Sequence, residues 1–187
     1  VLIPQFLEEI PHRPMAESLI DALIHATESY LSPDRATMTT DTLAEKANAA
    51  SSQAAHDEAV KKAQADGLEV VSGTVHIMTG SELCTYQGYE FSQVFGTDEW
   101  AKEEAERIYI VIVFDHETSI DAMSGDGSGI RTDTAVMLAV TKQDRSAWES
   151  YEGRTVTVGF KPAETWWPSD VSLPMGQPRT PNVRIID

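Results

Sequence analysis

The apolar and polar residues of this chain follow a helical period in the first third and a strand period after Gly67. Between residues 15 and 31, apolar side chains recur at helical spacing with acidic residues between them, which predicts an amphipathic helix. A second helix is predicted over residues 41–65, with Thr40 or Asp41 as its N-cap and Gly67 as its C-terminal stop. Its body is rich in alanine, so it either packs closely on the first helix or acts as a spacer.

Strand-like runs follow Gly67 and predict five strands. The runs are Leu68–Met78, Ile108–Phe114, Thr134–Val140, Arg154–Phe160 and Val183–Ile186. Gly73 inside the first run predicts a bend or bulge, and a short helix ending at Gly153 is predicted between the third and fourth strands. The insertion 79–107 contains an acidic helical stretch, Asp98–Arg107, that we expect to lie in solvent beside the sheet.

The order of three strands, a short helix and two strands is that of an OB-fold. The segment W-x-x-Y-x-G-R-x-V-x-V in Trp148–Val158 resembles the entry into the fourth strand of many bacterial OB domains, and WWPSDVSLPMGQPR, preceded by SGDGSG, is similar to segments of uncharacterised bacterial OB-like domains. The resemblance implies an α+β protein with a helical segment over residues 1–66 and a five-stranded antiparallel OB-like barrel over residues 67–187. It implies no activity, and SH3-like barrels and split sandwiches have similar patterns.

Charge narrows the possible partners. The chain has 14 basic and 30 acidic residues, a net charge of −16, and the acidic excess is present both before and after residue 66. Because nucleic-acid binders draw affinity from basic side chains on phosphates, nucleic acid is an unfavoured partner, as is an anionic membrane. An acidic mimic that inhibits a nucleic-acid-binding protein is the alternative that this charge allows.

Cysteine content and hydropathy leave the compartment open. Cys84 is the single cysteine, so no disulfide forms within the chain. The longest apolar runs are much shorter than the ~20 residues of a membrane helix, so no membrane span is predicted. The protein is either cytoplasmic, or secreted or displayed at the cell surface after removal of an N-terminal signal.

The segment 165–181 is the most unusual part of the sequence, because it holds two adjacent tryptophans and four prolines. We call it the Trp/Pro loop. Such stiffening indicates a fixed surface, and in OB-folds the loop between the last two strands often contributes to ligand binding. The candidate ligand-binding residues are Trp166, Trp167, Ser169, Asp170 and Arg179, which offer stacking, hydrogen bonds and charge. The alternative is that the loop only covers the barrel.

A second candidate site is the acidic, glycine-containing segment 115–133. Its oxygen-bearing side chains Asp115, Glu117, Asp121 and Asp126 suit Ca²⁺, although the spacing is not that of an EF-hand. The string SGDGSG within it lacks the pattern of a phosphate-binding loop and predicts a hairpin tip.

These features predict a non-catalytic binding module that recognises a protein or a small ligand through the Trp/Pro loop. The alternatives are the acidic mimic and a hydrolase that uses carboxylates or a histidine, with Asp115 and His116 as its candidate groups. The hydrolase has little support, since the sequence lacks a recognisable nucleophile motif.

Overall fold

The structure is a computed structural model that describes residues 38–186. The chain divides into two compact units, Val1–Ala55 and His56–Asp187. The helix predicted over residues 15–31 lies outside the described residues, and the domain boundary predicted after residue 66 stays a prediction.

The second predicted helix is present as α1, Met38–Ala65. It ends where the sequence indicates, because Gly67 has a φ of 79° and Leu68 N–H donates to the Ala63 carbonyl at 3.1 Å. A left-handed glycine with this bond satisfies carbonyls that the last helical turn leaves free. The chain thus turns directly from α1 into the first strand.

Six strands form one curled sheet in the order β5-β3-β2-β1-β4-β6. Their bounds are β1 Glu69–Thr79, β2 Ile108–Met123, β3 Ile130–Val140, β4 Thr155–Phe160, β5 Arg179–Thr180 and β6 Arg184–Ile185. The pairings are antiparallel except that of β3 with β5, so the sheet is mixed. The α+β class is confirmed in this broad sense.

The predicted five-stranded antiparallel closed barrel is wrong. The described sheet is a half-barrel, because β5 ends one edge and β6 ends the other, and the two do not pair. Each edge strand is only two residues long, and β5 arises inside the Trp/Pro loop, where no strand was predicted. No described strand therefore links the two edges into a barrel.

Two local features bend the sheet. The pairing of β2 with β3 shifts register between Val113 and Thr118, which is a bulge that bends the strand. Gly73 lies where β1 passes from pairing with β2 to pairing with β4, and a Cβ atom there would lie 2.4 Å from the Val113 carbonyl oxygen. The predicted bend at Gly73 thus corresponds to a close approach of two backbones.

The hairpin tip predicted at SGDGSG joins β2 to β3. Ser124 N–H donates to the Gly129 carbonyl at 2.7 Å and closes the turn. A Cβ atom on Gly125 would lie 2.5 Å from the Trp167 carbonyl oxygen, so the tip rests directly on the Trp/Pro loop.

Short helices lie in the connections between these strands. They are α2 Gly80–Tyr86, α3 Phe91–Phe95, α4 Glu99–Glu106 and α5 Arg145–Trp148, with 3₁₀ turns at Glu149–Tyr151 and Pro162–Glu164. The predicted acidic helix and the short helix before Gly153 are confirmed as α4 and as α5 with its 3₁₀ turn. The helices α2 and α3 were not predicted.

The two faces of the sheet carry separate cores. Alternate residues of β2 explain the division, since Ile110 and Ile112 pack with Trp148 and Trp167 on one face, while Val111 packs on the other. The second core contains Leu83 of α2, Cys84, Met137, Ala139 and Leu173 of the Trp/Pro loop. Helices and loop thus cover this second face together.

Among residues 38–186, no helix has both the length and the apolar character needed to cross a membrane.

Candidate functional site

Trp166 and Arg179 form the frame of a pocket at the edge of the sheet. Their backbones exchange two hydrogen bonds of 2.9 Å, in each of which one N–H donates to the other residue's carbonyl. Arg179 also pairs with Ala139 near the end of β3, and Trp166 pairs with Met123 at the end of β2. The pair therefore connects the two ends of the β2–β3 hairpin.

Two glutamine side chains fix the Trp/Pro loop in place. Gln87 donates to the Met175 carbonyl at 3.0 Å and accepts from Met175 N–H at 2.9 Å. The Oε1 atom of Gln177 accepts from the N–H groups of Val136 and Met137, at 2.9 and 3.2 Å. These bonds take the place of regular strand pairing in a loop whose prolines lack N–H donors. The loop is thus a fixed wall.

The pocket has a volume of about 330 Å³ and lies between this loop, α4, the start of β2 and the end of β3. We call it the Arg179 pocket. Its aromatic lining consists of Phe95, Trp100, Tyr109 and Trp166, and its charged lining consists of Glu104, Arg107 and Arg179. Small-molecule sites in proteins begin at about this volume and combine apolar walls with a few polar groups.

Glu104 is the buried acid of the pocket. Only 5% of it is exposed, because α4 places it on the same face as the buried Ala101. Its carboxylate accepts a hydrogen bond from the Tyr109 hydroxyl and forms an ion pair with Arg107 Nη1 at 3.1 Å. Burial raises the pKa of Tyr109, and the bond to Glu104 and its charge add to the effect. The tyrosine thus remains a donor to a paired carboxylate.

Arg179 lacks a comparable partner. Its Nη2 atom donates to the Ser172 carbonyl at 2.6 Å, whereas its buried Nε atom has no hydrogen-bond partner among residues 38–186. Burial lowers the pKa of the guanidinium, and the charges of Asp170, Tyr109 and Glu104 oppose that shift. An arginine is nevertheless protonated at any ordinary pH. Arg179 is therefore a cation that is partly removed from water and incompletely compensated.

The aromatic wall is most open at Trp100. Its side chain is 54% exposed, and its ring lies 6.0 Å from that of Phe95, centroid to centroid. Ile108 at the start of β2 is also exposed and lies on the same rim. Exposed apolar groups around a concave site with an uncompensated cation are suited to a ligand that has an apolar body.

The structure separates the five predicted ligand-binding residues. Trp166 and Arg179 line the pocket, whereas Trp167 is 1% exposed and belongs to the core on the other face of the sheet. Ser169 is exposed, and Asp170 accepts from the backbone N–H and hydroxyl of Ser172. The bonds from Ser172 lower the pKa of Asp170, with a smaller contribution from Arg179.

The predicted calcium ligands lie along an extended strand and its turn. Asp115, Glu117 and Asp121 belong to β2, where they are exposed, and Asp126 lies in the hairpin tip. Asp121 accepts from the Thr132 hydroxyl, and Asp126 accepts from the Ser128 N–H. Within the described part of the chain, no group of three or more acidic, histidine or cysteine side chains is placed to hold a metal ion. The calcium site stays a prediction.

The candidate groups of the hydrolase alternative lie away from the pocket lining. Asp115 and His116 are exposed at the bulge of β2. Cys84 is buried in the second core, and burial raises the pKa of its thiol. None of these three residues lines the Arg179 pocket.

Sequence reasoning missed Trp100, Glu104 and Arg107. These residues belong to the stretch that was predicted to lie in solvent, and that prediction is wrong for Glu104. A signal was present, because Ala101 and Glu104 share one helical face, and Glu104 and Arg107 are three residues apart. A small residue and an acid with a basic partner on one helical face indicate that this face packs against the rest of the protein.

Comparison with known proteins adds no family. No family model matches the chain, and no solved structure matches it significantly. A 34-residue segment is 50% identical to part of the 4-hydroxybutyrate dehydrogenase of Clostridium kluyveri. That segment is 18% of this chain, and the chain spans only 9% of the dehydrogenase. So short a match shows neither a shared fold nor a shared activity.

Proposed function

We propose that this protein is a non-catalytic binding module that takes a small ligand into the Arg179 pocket. The observation that carries the proposal is the partly buried guanidinium of Arg179, which lies in an aromatic-lined cavity without a carboxylate partner of its own. A charge removed from water is costly unless it is paired. A ligand with a negatively charged group would pair this charge. The apolar part of the same ligand would remove the exposed indole of Trp100 from water.

The fixed loop supports the same proposal. Because Gln87 and Gln177 hold the Trp/Pro loop in one conformation, binding would not need to order it first. Preformed sites lose less conformational entropy on binding than mobile ones. Stable protein–protein interfaces bury more than about 1,000 Å² of surface. A concave pocket of about 330 Å³ has the dimensions of a small-ligand site instead.

The test is a fragment screen of the full chain by ¹H–¹⁵N NMR, read at the indole N–H signals of its four tryptophans. We expect bound fragments to shift the signals of Trp100 and Trp166, while those of the buried Trp148 and Trp167 serve as internal references. Trp100→Ala should weaken binding about tenfold, given the contribution of an aromatic contact. Tyr89→Ala, at an equally exposed aromatic outside the pocket, is the control. Fragments that bind without shifting Trp100 or Trp166 would contradict the proposal.

A further inference from the structure

From the charges around the pocket, we infer that its ligand is a monocarboxylate with a planar apolar body, held by its carboxylate on Arg179. This inference rests on the proposed function and specifies the ligand class.

Of the two arginines that line the pocket, Arg179 is the one without an ion pair in the described part of the chain. Glu104 and Arg107 neutralise each other across 3.1 Å, and Tyr109 adds a hydrogen bond to the same carboxylate. The exposed carboxylate of Asp170 also acts electrostatically on Arg179, but it is too distant for an ion pair and lies outside the pocket lining. A ligand with one negative charge would therefore balance the charges of the lining residues Glu104, Arg107 and Arg179. A cationic ligand would add to an existing excess of positive charge.

The guanidinium is positioned for a flat acceptor. Its Nη2 atom donates to the Ser172 carbonyl, and its backbone pairs with Trp166, so its position is constrained before a ligand arrives. An arginine fork matches the two oxygens of a carboxylate, and bonds of this charged type are the strong ones. The buried Nε atom has no hydrogen-bond partner in the described part of the chain, so the protein itself does not compensate this part of the guanidinium.

The acidic surroundings disfavour more highly charged anions. The nearby carboxylate of Glu104 and the net charge of −16 repel a second negative charge on the ligand. Phosphate monoesters carry up to two such charges near neutral pH. The rings of Phe95, Trp100 and Trp166 favour a flat apolar group beside the carboxylate.

The test uses 3-phenylpropanoate, its amide and (3-phenylpropyl)ammonium, titrated into the full chain and read at the indole signals of Trp100 and Trp166. We expect the carboxylate to bind at least tenfold more tightly than the amide, because a hydrogen bond to a charged group contributes more than a neutral one. The ammonium compound should be the weakest. Inorganic phosphate at equal concentration should not compete.

The outcomes separate this inference from the proposed function. If the amide or the ammonium compound shifts the same two indoles with equal or higher affinity, the carboxylate assignment fails and the binding pocket remains. If phosphate displaces the carboxylate, the monoanion assignment fails in the same way. If no compound shifts either indole, the carboxylate assignment fails, and the proposed function fails as well if the fragment screen also finds no ligand that shifts them.

Variants locate the charge. Arg179→Gln should reduce carboxylate affinity at least tenfold and leave amide affinity within about twofold, and Arg145→Gln, at an exposed arginine on α5, should change neither. Equal carboxylate affinity in folded Arg179→Gln protein would overturn the assignment. The comparison of the carboxylate with the amide on the unmodified chain remains decisive even if Arg179→Gln fails to fold.

Discussion

Trp166 and Arg179, thirteen positions apart, exchange two backbone hydrogen bonds of 2.9 Å. Through Met123 and Ala139 this pair joins the two ends of the β2–β3 hairpin. The same two residues turn their side chains to the Arg179 pocket. The contact that joins the two ends of the hairpin is therefore also part of the wall of the candidate site, and we expect stability and binding to depend on overlapping residues.

Trp167 and Trp100 should contribute very differently to the stability of the fold. Trp167→Ala removes a 1% exposed side chain from the core and should cost about 3–5 kcal/mol of unfolding free energy. Trp100→Ala, at a side chain that is 54% exposed, should cost less than about 1 kcal/mol. Urea denaturation of both variants measures this difference. Equal losses of stability would show that the assignment of Trp167 to the core is mistaken.

Tyr109→Phe tests the buried acid of the pocket. The variant leaves Glu104 paired with Arg107 but removes the hydroxyl donor, and an under-satisfied buried carboxylate should lower the unfolding free energy by about 1–3 kcal/mol. Tyr89→Phe, at an exposed ring, is the matched control and should be near neutral. Unfolding free energies of the two variants that agree within error would argue against the Tyr109–Glu104 bond.

Gln87→Ala should loosen the Trp/Pro loop. It removes both bonds to Met175, so we expect faster amide hydrogen exchange at Met175 and a loss of about 1–3 kcal/mol in stability. Gln93→Ala on α3, an exposed side chain bonded only locally to Glu90, is the control. Unchanged exchange at Met175 would mean that other contacts fix the loop.

Glu69 should make stability fall as the pH rises. Burial raises the pKa of its carboxyl from 4.5 to about 7, against the opposing hydrogen bond from Asp121 N–H. The folded protein therefore retains a proton that the unfolded chain has lost, and the associated stability is present below pH 4.5 and is lost as the pH rises through about 7. Relative to wild type, Glu69→Gln should become progressively more stable across this window, as measured by urea denaturation.

The control for this pH dependence is Glu106→Gln, at an exposed position of α4. Its stability difference from wild type should not follow the course seen for Glu69→Gln. A constant difference between Glu69→Gln and wild type from pH 4.5 to 8 would contradict the assigned pKa shift.

Local patterns in the sequence predicted much of the fold. The strand at Ile108–Phe114 follows from its dense β-branched residues, and the end of α1 follows from Gly67. Both are local features, and both predictions agree with the structure. The extension of β2 through Asp115–Met123 was missed, because exposed strand residues carry the charges that are typical of loops. Charged residues alone do not distinguish an exposed strand segment from a turn.

Tertiary pairing determined what sequence could not predict. The strand β5 has two residues and no periodicity, and it exists because β3 and Trp166 offer partners to Arg179. Trp166 and Trp167 are adjacent in sequence, so no pattern could assign one to the pocket and the other to the core. Glu104 was expected in solvent, and its burial comes from tertiary contacts, namely the packing of its backbone on Gly80 and its bonds to Tyr109 and Arg107.

The most direct measurement is a crystal structure of the full chain soaked with 3-phenylpropanoate. We expect density in the Arg179 pocket, with the carboxylate against the guanidinium of Arg179 and the phenyl ring against Trp100 or Trp166. An empty pocket at a saturating concentration, or the compound bound elsewhere, would contradict the account.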